Sequence, residues 1–166
     1  MSADFTVAVV GNPNCGKTTL FNLLTGARQH VGNWPGVTVE KKTGEYQFAE
    51  RTIELVDLPG TYSLEAIDEH VSLDEKIARD YVASKTADLI INIVDASNIE
   101  RNLYLTSQLI EMRVPMIVVL NMMDAVKKLG IHIDVNLIAD RLGCPVIAIS
   151  AAKSEGITEL KQTINR

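Results

Sequence analysis

Positive charge is in short supply. The chain carries 16 lysines and arginines against 21 acidic residues, a formal net charge of -5. No basic run exceeds Lys41-Lys42 or Lys127-Lys128. Phosphate backbones need clustered lysine and arginine, so no nucleic acid is expected as partner. Cysteine is equally scarce. Cys15 and Cys144 stand far apart, which excludes a disulfide framework and any Cys-x-x-Cys metal spacing. That usage fits a reduced, cytosolic setting. Long apolar runs are missing too. The longest, near Leu89–Val94 and Val114–Leu120, stop well short of the ~20 residues a spanning helix needs. The opening Met1-Ser2-Ala3-Asp4 lacks the basic start of a signal peptide. The chain is therefore expected to be soluble and not to cross a membrane by itself. No internal repeat and no low-complexity segment is visible.

What is present is alternation. With 166 residues, 46% of them hydrophobic, one domain with a proper core is expected. Phe5–Val10 is β-rich and runs into a glycine loop; Lys17–Leu24 reads as a helix stopped by Gly26. Residues 27–37 are turn-rich and expected to be mobile. Val37–Lys41 and Gly44–Phe48 are predicted to pair as a ribbon, and Thr52–Val56 is a strand. Ser72 and Glu75 form a capping box that opens a helix to about Ser84; Ser97 and Glu100 form a second, opening a helix to about Met112. Asp88–Val94, Val114–Leu120 and Pro145–Ile149 read as strands, Asp134–Leu142 and Gly156–Ile164 as helices. Strands alternating with helices predict a mostly parallel sheet covered on both faces. Ligands then sit at the carboxyl ends of the strands.

The polar motifs all fall at such ends. Gly11, Gly16, Lys17 and Thr18 have phosphate-loop spacing between a strand and a helix. The loop from Asn12 through Asn14, Cys15 and Gly16 to Thr19 is the expected phosphate cradle. Its amides and the helix N-terminus favour anions. Lys17 reaches β- and γ-phosphates, and Thr18 ligates Mg²⁺. Asp57-Leu58-Pro59-Gly60 follows a strand. Asp57 can hold Mg²⁺ through water and Gly60 can offer its N–H to a γ-phosphate; alone, the string is also a common turn. Asn121-Met122-Met123-Asp124 follows another. A carboxylate such as Asp124 can accept two hydrogen bonds from guanine, a pair that adenine does not offer; alone, the string also reads as a helix N-cap. Ser150-Ala151-Ala152 follows the last strand, where a backbone N–H can meet guanine O6. Thr38, in Pro35-Gly36-Val37-Thr38-Val39, is placed to reach Mg²⁺ and the γ-phosphate as a switch ordered by nucleotide, or to be a plain ribbon threonine.

These five motifs, in order, resemble the GTPase superclass of translation factors and Ras-like proteins. The resemblance implies a Ras-like P-loop GTPase fold, α/β, with a mostly parallel six-stranded sheet and helices on both faces. One departure is Met122, where the family usually has lysine; faster nucleotide exchange is expected. A narrower resemblance rests on Val31-Gly32-Asn33-Trp34-Pro35-Gly36-Val37-Thr38-Val39-Glu40, on Asp57-Leu58-Pro59-Gly60-Thr61-Tyr62-Ser63-Leu64, and on residues 94–103, VDASNIERNL. These strings are similar to the N-terminal G domain of the ferrous iron transport protein B family. The match implies residues 1–166 as a single G domain of a bacterial Fe(II) transporter, at the cytoplasmic face of the inner membrane. It implies that helical and membrane domains follow, and it leaves room for homo-oligomers formed through the membrane part.

The resemblance also bears on hydrolysis. Thr61 and Tyr62 follow Gly60, so the glutamine that orients water in Ras-like enzymes is missing, and slow turnover is expected. The family implies that Asn14, with switch carbonyls around Trp34 and Gly36, ligates K⁺; a cation there would stabilise transition-state charge. Lys17, Thr38 and Gly60 complete the expected catalytic set, and either backbone groups of the first switch or Glu65 are expected to position the water. The competing reading is a free-standing GTPase of ribosome-assembly or tRNA-modification type. A kinase or ATPase using the same loop is argued against by Asp124 and the early Asp-x-Pro-Gly. Cys15 is read as a small loop residue and Cys144 as core. His30 and His70 lack a second metal ligand at useful spacing, and His132 is expected to face solvent. Trp34 is expected to be exposed, as a reporter in a mobile loop.

Overall fold

The computed structural model describes residues 4–64 and 72–165. The first strand explains the rest of the architecture. β1 (Phe5–Gly11) is FTVAVVG, and Val7, Ala8, Val9 and Val10 are all fully buried. Apolar residues buried on both faces demand cover on both faces, which is the signature of a central parallel strand. β1 pairs in parallel with β4 (Arg51–Asp57) on one side and β5 (Leu89–Asp95) on the other. β6 (Met116–Asn121) and β7 (Val146–Ala148) extend the parallel part. On the far side β3 (Glu40–Phe48) and β2 (Gln29–Asn33) are antiparallel additions. The order is β2-β3-β4-β1-β5-β6-β7.

The helices divide between the faces. α1 (Lys17–Thr25) and α6 (Ile157–Ile164) cover one, through Leu20, Phe21, Leu24, Leu160 and Ile164. α2 (Leu73–Ala83), α3 (Ile99–Glu111) and α4 (Met123–Lys128) bury Ala78, Val82, Leu105, Leu109 and Val126 against the other, with α5 (Val135–Leu142) packed at its edge. Phe21 is fully buried, and truncating it to alanine is expected to cost about 3–5 kcal/mol. One polar pair interrupts the second core. Thr106 of α3 donates its hydroxyl to Asn92 Oδ1 in mid-β5 at 2.5 Å. That bond fixes α3 against the sheet next to the loops of interest.

Several expectations hold. Ser72 accepts from the Glu75 N–H at 3.1 Å and starts α2; Asp134 accepts from the Leu137 N–H at 3.0 Å and starts α5. Gly143 closes α5 at φ 75°. Others are corrected. The sheet has seven strands rather than six, because residues 29–33, inside the stretch expected to be mobile, pair with 40–44. The predicted ribbon of Val37–Lys41 with Gly44–Phe48 does not form. β3 instead runs straight through Gly44, where a Cβ would lie 2.5 Å from Thr25 Cγ2; the glycine lets α1 close onto the strand. The second capping box does not cap an α-helix. Asp95 Oδ1 accepts from Ser97 N–H at 2.9 Å and from its hydroxyl at 2.6 Å, capping a 3₁₀ turn at residues 96–98 before α3 starts at Ile99. Helix α4 goes unannounced, being only six residues long. Among the described residues no helix is long and apolar enough to cross a membrane.

Candidate functional site

The carboxyl ends of β1, β4 and β6 meet around a cleft of about 560 Å³. Asn12, Pro13, Asn14, Gly16, Lys17, Thr18, Thr19, Gly60, Asp74 and Met122 line it. The loop from Gly11 to α1 turns on two left-handed residues, Asn14 at φ 65° and Gly16 at φ 91°. Asn14 is exposed at the loop's crest, and asparagine tolerates this conformation better than most residues. Gly16 has no alternative: a Cβ there would lie 2.1 Å from Asn121 Nδ2. α1 starts at Lys17 with no acidic residue in its first turn, so its N-terminal field is left for an anion. Thr18 and Thr19 are exposed on that turn. Lys17 Nζ forms an ion pair with Asp57 Oδ1, both side chains largely shielded from solvent. The two groups expected to meet the phosphates and Mg²⁺ are therefore already adjacent.

Asn121 ties the turn after β7 to the loop between β1 and α1. Its Nδ2 donates to Cys15 O at 3.0 Å, and its Oδ1 accepts from Ala151 N–H at 2.9 Å. The side chain is buried and both its ends are used. Asp124 lies beside it. Ser150 Oγ accepts from Asp124 N–H at 3.0 Å and donates to Asp124 Oδ1 at 3.2 Å. Partial burial pushes the Asp124 carboxyl up. The N–H groups of Ala125 and of Asp124 itself, the Ser150 hydroxyl and the Lys153 charge outweigh that, and leave it below the ordinary value. The group is ionised at neutral pH, as an acceptor of two donors must be. Met122 adopts φ 68° and lines the cleft; its Cε would lie 3.8 Å from a Cβ at Gly16. It supplies an apolar stem beside the phosphate loop and no charge. Ala152 is exposed on the turn after β7, whereas Ala151 is buried.

The chemistry of Cys15 is as modest as the sequence suggests. The side chain is buried, and burial pushes its thiol up to about 11, with Lys17 pulling the other way. Cys144 is half-buried against the second core and also raised by burial. His132 is exposed, as expected. Among the described residues no group of three or more His, Cys, Asp or Glu could hold a metal.

The first switch is the main correction. Trp34 is not exposed. Its ring is buried against α2, edge-on to Tyr81 at 5.7 Å and 74°, with Lys41 Nζ 4.8 Å from its centroid. Burial of a large apolar ring outweighs the turn-forming residues around it. Trp34 N–H donates to Val39 O at 2.9 Å and its carbonyl accepts from Val37 N–H at 3.2 Å, which closes a tight tip. Thr38 sits exposed on that tip, and neither Thr38 nor Trp34 is among the residues lining the cleft. Glu65 and His70 lie outside the described residues.

Three contributors escaped sequence reading. Asp74 lines the cleft from the first turn of α2, where its place inside a capping box concealed it. Arg101 stacks over Tyr62, 4.8 Å from guanidinium carbon to ring centroid, and donates to its hydroxyl at 2.9 Å. Gln108 accepts from Leu64 N–H at 2.7 Å and donates to Ser63 Oγ at 3.2 Å. No local pattern marks either α3 residue, since the partners lie 39 to 45 positions away.

On a sheet of this order, such a succession of loops makes the Ras-like P-loop GTPase fold. Comparison narrows the class. The family model described as Ferrous iron transport protein B matches residues 5–164. The Fe(2+) transporter FeoB of Escherichia coli (strain K12) is 56% identical over 161 residues, which are 97% of this chain and 21% of that protein. The solved cytosolic domain of L. pneumophila FeoB superimposes with a TM-score of 0.93 at 55% identity, over 97% of this chain and 69% of that one. The cytosolic domain of T. maritima FeoB in its GMPPNP form gives 0.92 at 48% identity, over 97% and 62%. The chain belongs to the ferrous iron transport protein B family. It spans about a fifth of the length of the curated relatives it matches.

Proposed function

We propose that this chain binds GTP and hydrolyses it slowly, as the cytosolic switch domain of a bacterial ferrous iron transporter. The observation that carries the reading is Asp124. It is a carboxylate held by Ser150 and kept below its ordinary value; the next residue, Ala151, is tied to the phosphate loop through Asn121. A carboxylate so placed accepts from guanine N1–H and N2–H₂. Ala151 N–H is spent on Asn121, so the exposed Ala152 is the residue on that turn to meet guanine O6. Asn12, Asn14, Cys15, Gly16, Lys17, Thr18 and Thr19 hold the phosphates. A site built on paired hydrogen bonds rejects adenine by ~10⁴ or more.

Mg²⁺ fits the donor set at Thr18 and Asp57, with Thr38 added when the first switch closes; it would neutralise charge on the β- and γ-phosphates. K⁺ fits the exposed Asn14, with carbonyls around Trp34 and Gly36 as further ligands when the same closure brings the tip to the loop; it would add positive charge in the transition state. Within the chain Lys17 holds the γ-phosphate, Gly60 offers its N–H, and Glu65 orients water. Residues 1–166 act as one G domain, followed in the whole protein by helical and membrane domains at the inner membrane's cytoplasmic face. Those domains are its partners, with room for homo-oligomers through the membrane part, and nucleic acid is not a partner.

Competition against a fluorescent GDP analogue tests the base. GTP and GDP are expected to displace it, and ATP is not. Equal displacement by ATP would remove the guanine assignment. Phosphate release from GTP in KCl and in NaCl tests the rest: a faster rate in KCl that Asn14→Ala abolishes is expected, and equal rates in the two salts sink the K⁺ role.

A further inference from the structure

Residues 60–64 leave the cleft with a fixed partner at every position. A Cβ at Gly60 would lie 3.2 Å from Pro13 Cα, so the glycine packs directly on the phosphate loop. Thr61 N–H donates to Gly11 O at 3.0 Å, and its hydroxyl donates to Ser63 O at 2.6 Å. The next three residues are held by α3. Arg101 grips the ring and hydroxyl of Tyr62, while Gln108 accepts from Leu64 N–H and donates to Ser63 Oγ. Arg101 and Gln108 are seven positions apart and so lie on one face of the helix. The backbone carbonyl of Arg101 also accepts from Asn12 Nδ2 of the phosphate loop at 3.4 Å. One helix face thus holds both the loop that would meet the phosphates and the segment that would meet the attacking water.

We propose that Gln108, supported by Arg101, is a positioning residue for GTP hydrolysis. It fixes the backbone of residues 61–64 and so orients the water-facing segment from outside the site. The inference rests on the hydrolysis reading above. No glutamine follows Gly60 to orient water by its own side chain. Precision then depends on how rigidly the segment that leads to Glu65 is held, and misplacement by about 1 Å is enough to cost a factor of ~100. Gln108 does both jobs that a floating segment needs, since it satisfies one main-chain donor and one side-chain oxygen in adjacent residues. It touches no reacting atom.

The test uses the 166-residue chain and three variants: Gln108→Ala, Gln108→Glu and Arg101→Ala. Gln108→Ala is expected to lower the single-turnover rate at saturating GTP by about ten- to a hundredfold. Affinity for GTP and GDP should stay within about twofold, because the lost interaction acts on the transition state and not on binding. Gln108→Glu keeps the acceptor for Leu64 N–H and should recover part of the rate. Arg101→Ala should fall between. Amide hydrogen exchange gives an independent readout: in Gln108→Ala the 60–64 segment should exchange faster while β1 and β5 are unchanged. An unchanged rate in Gln108→Ala, or a loss of GDP affinity as large as the loss of rate, overturns the proposal. If the unsubstituted chain binds GTP but releases no phosphate, the hydrolysis reading falls and takes this role with it; faster exchange alone would then leave Gln108 an architectural contact.

Discussion

Ser150 holds Asp124 by two hydrogen bonds, taking its N–H and giving its hydroxyl to Oδ1. The pairing joins the end of β7 to the start of α4 and keeps the carboxyl charged. Removing the hydroxyl should therefore weaken guanine binding without touching the base itself. For Ser150→Ala, which removes both bonds, we expect about a tenfold loss of GDP affinity. The pH dependence has a definite sign. A carboxyl held below its ordinary value keeps its charge above that value, and binding fails only as pH falls through the lowered one. Ser150→Ala removes one cause of the lowering, so the acid limb of GDP binding should move to higher pH. Titrating affinity against pH in both proteins checks it; superimposed limbs would contradict the link. Asp124→Asn should shift preference from guanine to xanthine nucleotides.

Asn121 satisfies two buried main-chain groups with a single side chain. Asn121→Ala leaves both Cys15 O and Ala151 N–H unpaired, at an expected cost of about 2–4 kcal/mol. For a chain of this size that is a Tm lower by roughly 5–15 °C. Calorimetry on the purified variant gives the number directly, and a Tm within a degree or so of the parent would refute the bracing role.

The thiol of Cys15 titrates far from where a free cysteine does. In the folded chain it is pushed up to about 11 from an ordinary 9.0. Across that interval the folded state binds more protons than the unfolded one, so stability is full below it and falls as pH rises through it. Cys15→Ser should flatten the fall. Denaturant midpoints measured below and inside this window, in parent and variant, decide it: parallel declines would place the titrating group elsewhere. By the same physics, alkylation of Cys15 at neutral pH should be slow until the chain unfolds.

Trp34 offers an optical check on the first switch. A ring buried beside Tyr81 should emit to the blue of free tryptophan and resist iodide quenching. Tyr81→Ala opens that pocket and should redden the emission and admit the quencher. Emission that is already red and quenchable in the parent chain would mean the ring is not docked on α2.

How far these features could be read from sequence depends on the range of the interactions that make them. The strand-loop-helix context of Gly11–Thr18, the cap at Ser72 and the ordinal positions of Asp57, Asp124 and Ser150 are local signals, and all were legible. β2 was not. Residues 27–37 contain Gly32, Asn33, Pro35 and Gly36, and a turn-rich reading follows from them. The strand exists because an exposed edge of β3 supplies its hydrogen bonds, and side-chain patterning plays little part. Trp34 was misplaced for the same reason: its neighbours in sequence argue mobility, while its neighbours in space are on α2. Gln108 and Arg101 carry no local mark because their partners lie about 40 positions away. Asp74 was hidden by a sufficient local explanation, the capping box in which it sits.

A single carboxamide, that of Asn121, closes the gap between the loop expected to sense the base and the loop expected to carry the phosphates. A nucleotide held as proposed would be read at its two ends by one mechanical body. A shift at the last strand would then reach the phosphate loop through Asn121 without passing through the ligand. Selectivity and grip in this domain share a hinge, and a change that loosens one loosens the other.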